Sequence, residues 1–436
     1  MIARFPIPAG SFSCLILGAL LSLLQASPSL KFAFQPGHSG AEFIQITGNT
    51  NFTRDLGYGA ELDGPKDKKS ARSMDFSKFS VLLDEGNYDV KVSFGRTDTA
   101  TNTTLKTENR RVMLAQIEAD RGQNVFQSFT VNIRTPALRD GGQVKINGRE
   151  SGPPLISRWD DKLTLELLGN NGSLQTLEIT RNDAAVTVFL AGDSTVTEQQ
   201  AEPYTGWGQM LPLFFSIGTA ISNHAESGLA LDSFRSQKRL EKILQTLKAG
   251  DYVFIQFGHN DQKERTSGSG PFSTYKERLR DYVRDVLAKK GNPIVVTPME
   301  RRRFKHGKPY TTLHDFAEAG RQVAQEERVP IIDLHAMSLE LYEALGEEKS
   351  RLAFVHYPPG TFPGQDKKLE DDTHHSAYGA LQLAKCVVDG IRKNVPGLAT
   401  RLRQKIPLYD PRLPDSPEHF GIPASPVQPA VKPAGN

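Results

Sequence analysis

Residues 186–195 read Val186-Thr-Val-Phe-Leu-Ala-Gly-Asp-Ser-Thr195. The run 186–191 is apolar on both faces, the pattern of a strand buried in a parallel sheet that is covered on both sides. Gly192 lets the chain turn sharply out of such a sheet. Ser194 then falls just beyond the carboxyl end of the strand, where its hydroxyl and its own N–H can face a cleft. Taken alone, Asp193 and Ser194 suit a helix N-cap equally well.

Working outward, three more short apolar runs occur at 253–257, 294–297 and 329–334. Helical periodicity lies between and after them. Leu240, Ile243, Leu244 and Leu247 fall at i, i+3, i+4, i+7. Tyr275, Leu279, Tyr282, Val283 and Val286 do likewise, and Ala377, Ala380, Leu381, Ala384, Val388 and Ile391 form a final stripe. Strands alternating with helices predict an open α/β/α sheet over 184–400. Such sheets bind ligands beyond the carboxyl ends of their strands.

The polar residues at those ends are candidates for chemistry. Gly258-His-Asn-Asp261 follows the run 253–257, and the Asn260 carboxamide can donate to a developing oxyanion. Such residues also make ordinary turns. The N–H of Gly228, after Ser227, is a further possible donor. Asp371-Asp-Thr-His374 reads as the opening of the last helix. There, one turn places a carboxylate against an imidazole, leaving Nε2 to face a serine. Asp372 and His375 share that spacing, so His375 is the alternative base. Asp193, His259 and Asp261 are neighbouring ionisable groups with supporting roles. Arg301-Arg-Arg303 follows the strand end at Thr297-Pro298, and an arginine there suits a uronate carboxylate. Trp207 and Tyr204 read as core or as a wall of the cleft, with a sugar platform as the alternative.

Residues 31–180 have a different rhythm. Tyr88, Val90, Val92 and Phe94 alternate with polar residues, as do Phe129, Val131 and Ile133, and Leu163, Leu165 and Leu167. Period-two alternation gives each strand one buried and one wet face, and predicts an antiparallel β-sandwich. Residues 404–436 are proline-rich and read as a tail that is disordered or lies over the surface.

The chain has 436 residues, 38% hydrophobic and 24% charged, with a net charge of +3. That length suits two domains, and the small charge points to no nucleic acid. Residues 1–26 read as a secretory signal peptide: Arg4, then an apolar stretch from Cys14 to Leu24, then Ala26 and Ser27. A secreted or periplasmic protein, off the membrane after cleavage, is expected. Cys386 alone would then remain, on the apolar face of the last helix, with no disulfide. No cysteine–histidine cluster has zinc spacing.

These blocks resemble the SGNH (GDSL) hydrolase superfamily. Its four named residues map onto Ser194, Gly228, Asn260 and His374. The runs Phe189-Leu-Ala-Gly-Asp-Ser-Thr-Val196, Gln256-Phe-Gly-His-Asn-Asp261, Arg302-Arg303-Phe304 and Asp371-x-Thr-His-x-Ser-x-x-Gly-Ala380 resemble rhamnogalacturonan acetylesterases, carbohydrate esterase family 12. The match favours Asp371 over Asp372, while His375 stands where that pattern has Phe or Thr. The segments at 31–37, 88–95 and 159–165 are similar to a galactose-binding-like β-sandwich.

The resemblance implies a flavodoxin-like three-layer fold and a serine esterase without metal or cofactor. Ser194, His374 and Asp371 would be catalytic, and Ser194, Gly228 and Asn260 would form the oxyanion hole. Arg302, Arg303, Trp207 and His259 would contact substrate. The implied substrate is an acetylated acidic polysaccharide, the rhamnogalacturonan backbone of pectin. Another acetylated glycan such as xylan, a lipase or thioesterase activity, and a non-catalytic carbohydrate-binding role are the alternatives.

Overall fold

The computed structural model describes residues 29–35, 40, 42–61, 78–169, 173–426 and 430–434. The leader read at 1–26 lies outside the described residues, as does the turn at 170–172.

Residues 30–181 build two five-stranded sheets packed face to face. The first runs Ile44–Gln45, Leu30–Ala33, Leu174–Arg181, Gly86–Phe94, Val125–Ile133. The second runs Tyr58–Ala60, Lys78–Leu82, Lys162–Gly169, Thr101–Thr107, Arg111–Ala119. All pairings are antiparallel except that of Leu30–Ala33 with Ile44–Gln45. Alternation does what it should on the inside, where Val90, Val92, Phe94, Phe129, Leu163 and Leu165 share one core with Phe32 and Phe79.

The outside departs from the expected wet face. Thr164 and Glu166 are buried. Thr164 bonds Ser80, and Glu166 accepts a bond from Ser425 Oγ at 2.6 Å. The proline-rich tail is therefore more than a surface strap. Ile422 joins the main hydrophobic core, and Lys106 donates to the Pro423 carbonyl at 2.8 Å.

The second unit is a parallel sheet in the order Thr219–Asn223, Val186–Gly192, Tyr252–Gln256, Asn292–Val296, Ile331–Ile332. Helices Arg239–Thr246, Lys276–Ala288, His314–Glu327, Leu334–Lys349 and Ala377–Asn394 accompany it. The 2-1-3-4-5 order is that of a flavodoxin-like doubly wound sheet, whose switch point lies between the first and third strands. Separate apolar clusters form on its two faces: Val188, Leu190 and Ile294 pack on one, Phe189, Val253 and Ile255 on the other. Cys386 is fully buried in the former, and burial pushes its thiol well up, as for an inert core residue.

The seam between the units is ionic. Arg111 pairs with Glu198 at 2.8 Å, Arg110 with Glu202 at 2.6 Å and Arg158 with Glu226 at 2.6 Å, all buried. Removing one partner of such a pair strands a buried charge and costs about 3–5 kcal/mol.

Candidate active site

The first strand ends at Gly192, and no helix follows. Residues 193–198 form turns, and the next helix is Trp207–Met210. Ser194 is therefore not a helix cap. Gly192 is required by close packing rather than by an unusual backbone: a Cβ there would meet Val196 Cγ2 at 2.6 Å. Asp193 shapes the turn, its Oδ1 accepting bonds from Thr195 N at 2.9 Å and Thr195 Oγ1 at 2.8 Å. Trp207 Nε1 donates to Gln256 Oε1, and Gln256 Nε2 donates to Thr195 Oγ1.

The late Asp-x-x-His segment reaches the same place from a different element than expected. Residues Leu369–His375 form a strand antiparallel to Phe354–Tyr357, and the long helix Ala377–Asn394 begins only after it, capped by Ser376. A regular strand would keep residues 371 and 374 apart. Here Asp371 Oδ1 accepts from both Thr373 N and His374 N, at 2.9 and 3.0 Å, which curls the chain locally. Asp371 Oδ2 then lies 2.9 Å from His374 Nδ1, and His374 Nε2 lies 2.9 Å from Ser194 Oγ. Burial opposes the charge on Asp371, but the His374 ring and the two N–H donors outweigh it and hold the carboxyl at about 2.

The alternative register points elsewhere. His375 Nε2 meets the Tyr342 hydroxyl at 2.9 Å inside the core, where burial pushes the ring down to about 3. Asp372 turns the other way, to His356 at 2.9 Å and to Arg302 and Arg303 at 3.2 Å.

Three donors are expected for the oxyanion: the N–H groups of Ser194 and Gly228 and the Asn260 amide. Gly228 has φ of +84°, a backbone that favours glycine, and a Cβ there would come within 3.4 Å of Ala434. Neither the Ser194 nor the Gly228 N–H finds a hydrogen-bond partner among the described residues. Asn260 Nδ2 spends one proton on the Leu229 carbonyl at 3.1 Å, while Lys263 Nζ reaches Asn260 Oδ1 at 3.2 Å and orients the amide. Lys263 sits one turn beyond Asn260, a link that sequence spacing alone did not single out.

The expected substrate contacts fare differently. Trp207 is 1% exposed and cannot reach a polymer; it braces the serine turn from below. Arg302 is buried and engaged by Asp372, Ser350 and the Glu347 carbonyl, so its guanidinium is structural. Arg303 is about half exposed and leans on Asp372, which leaves it accessible to ligand. His259 is 2% exposed and lies 3.6 Å from Asp193 Oδ2, away from the surface. Burial pushes its ring pKa down. Tyr204 gains a role the sequence left open: its ring meets the His374 ring edge-on at 5.8 Å.

A hydroxyl bonded to an imidazole, itself held by a carboxylate, can shed its proton as it attacks a carbonyl carbon. The unpaired N–H of Ser194 itself suits the oxyanion that forms. A family model described as GDSL-like Lipase/Acylhydrolase matches residues 190–377, the span from the serine turn to the histidine. Rhamnogalacturonan acetylesterase RhgT of Bacillus subtilis (strain 168) is 41% identical over 211 residues, 48% of this chain and 90% of that protein. The uncharacterized esterase YxiM of the same bacterium is 26% identical over 409 residues, 87% of this chain and 95% of its own. The crystal structure of YxiM aligns with a TM-score of 0.43 at 24% identity, covering 84% of this chain and 98% of that one. The protein is thus a carboxylic ester hydrolase. It belongs to the GDSL-like lipase/acylhydrolase (SGNH) family and is similar to rhamnogalacturonan acetylesterases.

Proposed function

We propose that the protein is an exported acetylesterase that removes O-acetyl groups from a plant cell-wall polysaccharide, the rhamnogalacturonan backbone of pectin. Ser194 Oγ attacks the acetyl carbonyl while His374 Nε2 takes its proton. Asp371 holds the ring by Nδ1 and stabilises the imidazolium. The N–H groups of Ser194 and Gly228 and the Asn260 amide receive the oxyanion. His374 returns the proton to the sugar oxygen as it leaves. Water, activated by the same ring, then releases acetate from the acetyl-serine. Carbonyl addition, proton transfer and charge stabilisation are all supplied by side chains and backbone of this chain.

The observation that carries the reading is the unbroken relay from Asp371 through His374 to Ser194, with 2.9 Å at each link. The 41% identity to a rhamnogalacturonan acetylesterase supports the substrate. Export rests on the leader pattern at 1–26. The test is acetate release from acetylated rhamnogalacturonan beside acetylated xylan, with Ser194→Ala as the blank. Faster release from the pectic polymer is expected. Preference for xylan would overturn the substrate, and turnover by Ser194→Ala would overturn the nucleophile.

A further inference from the structure

One of the places where the N-terminal sandwich reaches the catalytic loops is a hairpin tip. Strands Thr101–Thr107 and Arg111–Ala119 are joined by Glu108, Asn109 and Arg110. Glu108 and Arg110 both adopt left-handed backbone, at φ of 52° and 65°. Two such residues in one short turn, neither of them glycine, persist only where the surroundings over-determine them, and such strain gathers at functional sites. This tip is buried against loop 198–205 of the esterase unit rather than against solvent.

Its contacts are specific. Asn109 Nδ2 donates to the Gln199 carbonyl at 2.7 Å. Arg110 donates to the Tyr204 carbonyl at 3.0 Å and pairs with Glu202 at 2.6 Å. The same loop touches the catalytic groups directly. The Gln199 carboxamide donates to the Ser194 carbonyl and accepts from Ser227 Oγ at 3.4 Å, linking the serine turn to the Gly228 loop. The Tyr204 ring lies edge-on to His374, and Thr205 N donates to the His375 carbonyl at 3.0 Å. Asn109 and Arg110 are thus each one residue removed from Ser194 or His374.

We propose that the hairpin tip of the β-sandwich is a positioning element for ester hydrolysis: Asn109 and Arg110 fix loop 199–205, and through Gln199 and Tyr204 they hold Ser194 and His374 in attacking register. The sandwich is on this view part of the catalytic scaffold. Small misplacements of reacting groups lower the chemical step far more than they lower binding.

The proposal rests on the serine-esterase reading, and the test separates the two. Full-length variants are assayed on 4-nitrophenyl acetate, with competent sites counted by titration with a fluorophosphonate. Asn109→Ala removes one donor and no charge. Arg110→Leu with Glu202→Gln removes both charges of that pair, while Lys106, 4.0 Å from Glu202, keeps its bonds to the Pro423 carbonyl and Ser425 Oγ. Each is expected to lower kcat per titrated site about tenfold or more, with KM within about twofold. Arg110→Lys should recover part of that loss. Arg54→Ala, which breaks an exposed pair with Asp161 on the same sandwich, should leave kcat at wild type. If the double variant does not fold, Asn109→Ala decides alone. Wild-type kcat per site in Asn109→Ala overturns the proposal. An active Ser194→Ala would instead overturn the esterase reading beneath it.

Discussion

Two aspartate–histidine pairs flank Ser194, and they differ in almost everything but composition. In front, Asp371 and His374 are within 2.9 Å, and the outer ring nitrogen meets the serine hydroxyl at the same distance. Behind, Asp193 and His259 are 3.6 Å apart, and neither ring nitrogen of His259 has a hydrogen-bond partner among the described residues. The front pair is strung into a relay. The rear pair is buried, and Asp193 spends its other oxygen on Thr195 within the serine turn. What separates base from buttress is alignment with the hydroxyl.

That contrast can be broken at several points. Ser194→Ala, like His374→Ala, should lower kcat about 10⁶-fold, read as acetate release by a folded protein. His375→Ala should keep most activity and lose stability instead, since its ring packs against Phe354 at 4.4 Å in the core; an inactive His375 variant beside an active His374 variant would reverse the assignment. Asp371→Asn should cost about 10⁴-fold in kcat by favouring the wrong tautomer. Asp193→Asn keeps the shape of the serine turn, so its loss should be at least tenfold smaller than that of Asp371→Asn. Equal losses would make the two pairs equivalent. Asn260→Ala should lower kcat by about 100-fold or more with little change in thermal midpoint.

The smallest effect concerns Asp261, beside the rear pair. Burial raises its carboxyl from 3.8 to about 7. The fold therefore favours the protonated form. The stability this contributes is present below about pH 3.8 and is lost as the pH rises through about 7. Urea unfolding of wild type should weaken over that window relative to Asp261→Asn, by at most about 1.4 kcal/mol per pH unit. Parallel pH profiles for the two proteins would contradict the raised value.

Much of this was legible in sequence where a local pattern matched a local cause. The apolar run before Gly192 marked the central strand, because burial on both faces leaves no polar position to disguise it. Ser194 and Asn260 could be named because each follows such a strand, and His374 because an aspartate stands three residues before it. The edge strand Thr219–Asn223 was not read as part of the sheet, its Thr, Ser and Asn hiding the apolar pattern. The Asp371 segment was read as a helix start because its spacing suits one. The structure places it on a strand, curled by the Asp371 side chain itself, a long-range outcome that no period encodes. Arg302 and Trp207 looked like ligand contacts because nothing in sequence shows that Asp372 and Gln256 engage them. The hydrogen bonds that tie the tail to Glu166 span 259 residues and were equally out of reach.

The claim that the front pair alone activates Ser194 can be read at the residue itself. Wild type, His374→Gln and His259→Gln are treated with a fluorophosphonate, and the adduct is located by peptide mass spectrometry. One adduct is expected, on Ser194, forming at close to the wild-type rate in His259→Gln and essentially absent in His374→Gln. An adduct on another residue, or rapid labelling of Ser194 without the His374 imidazole, would contradict it.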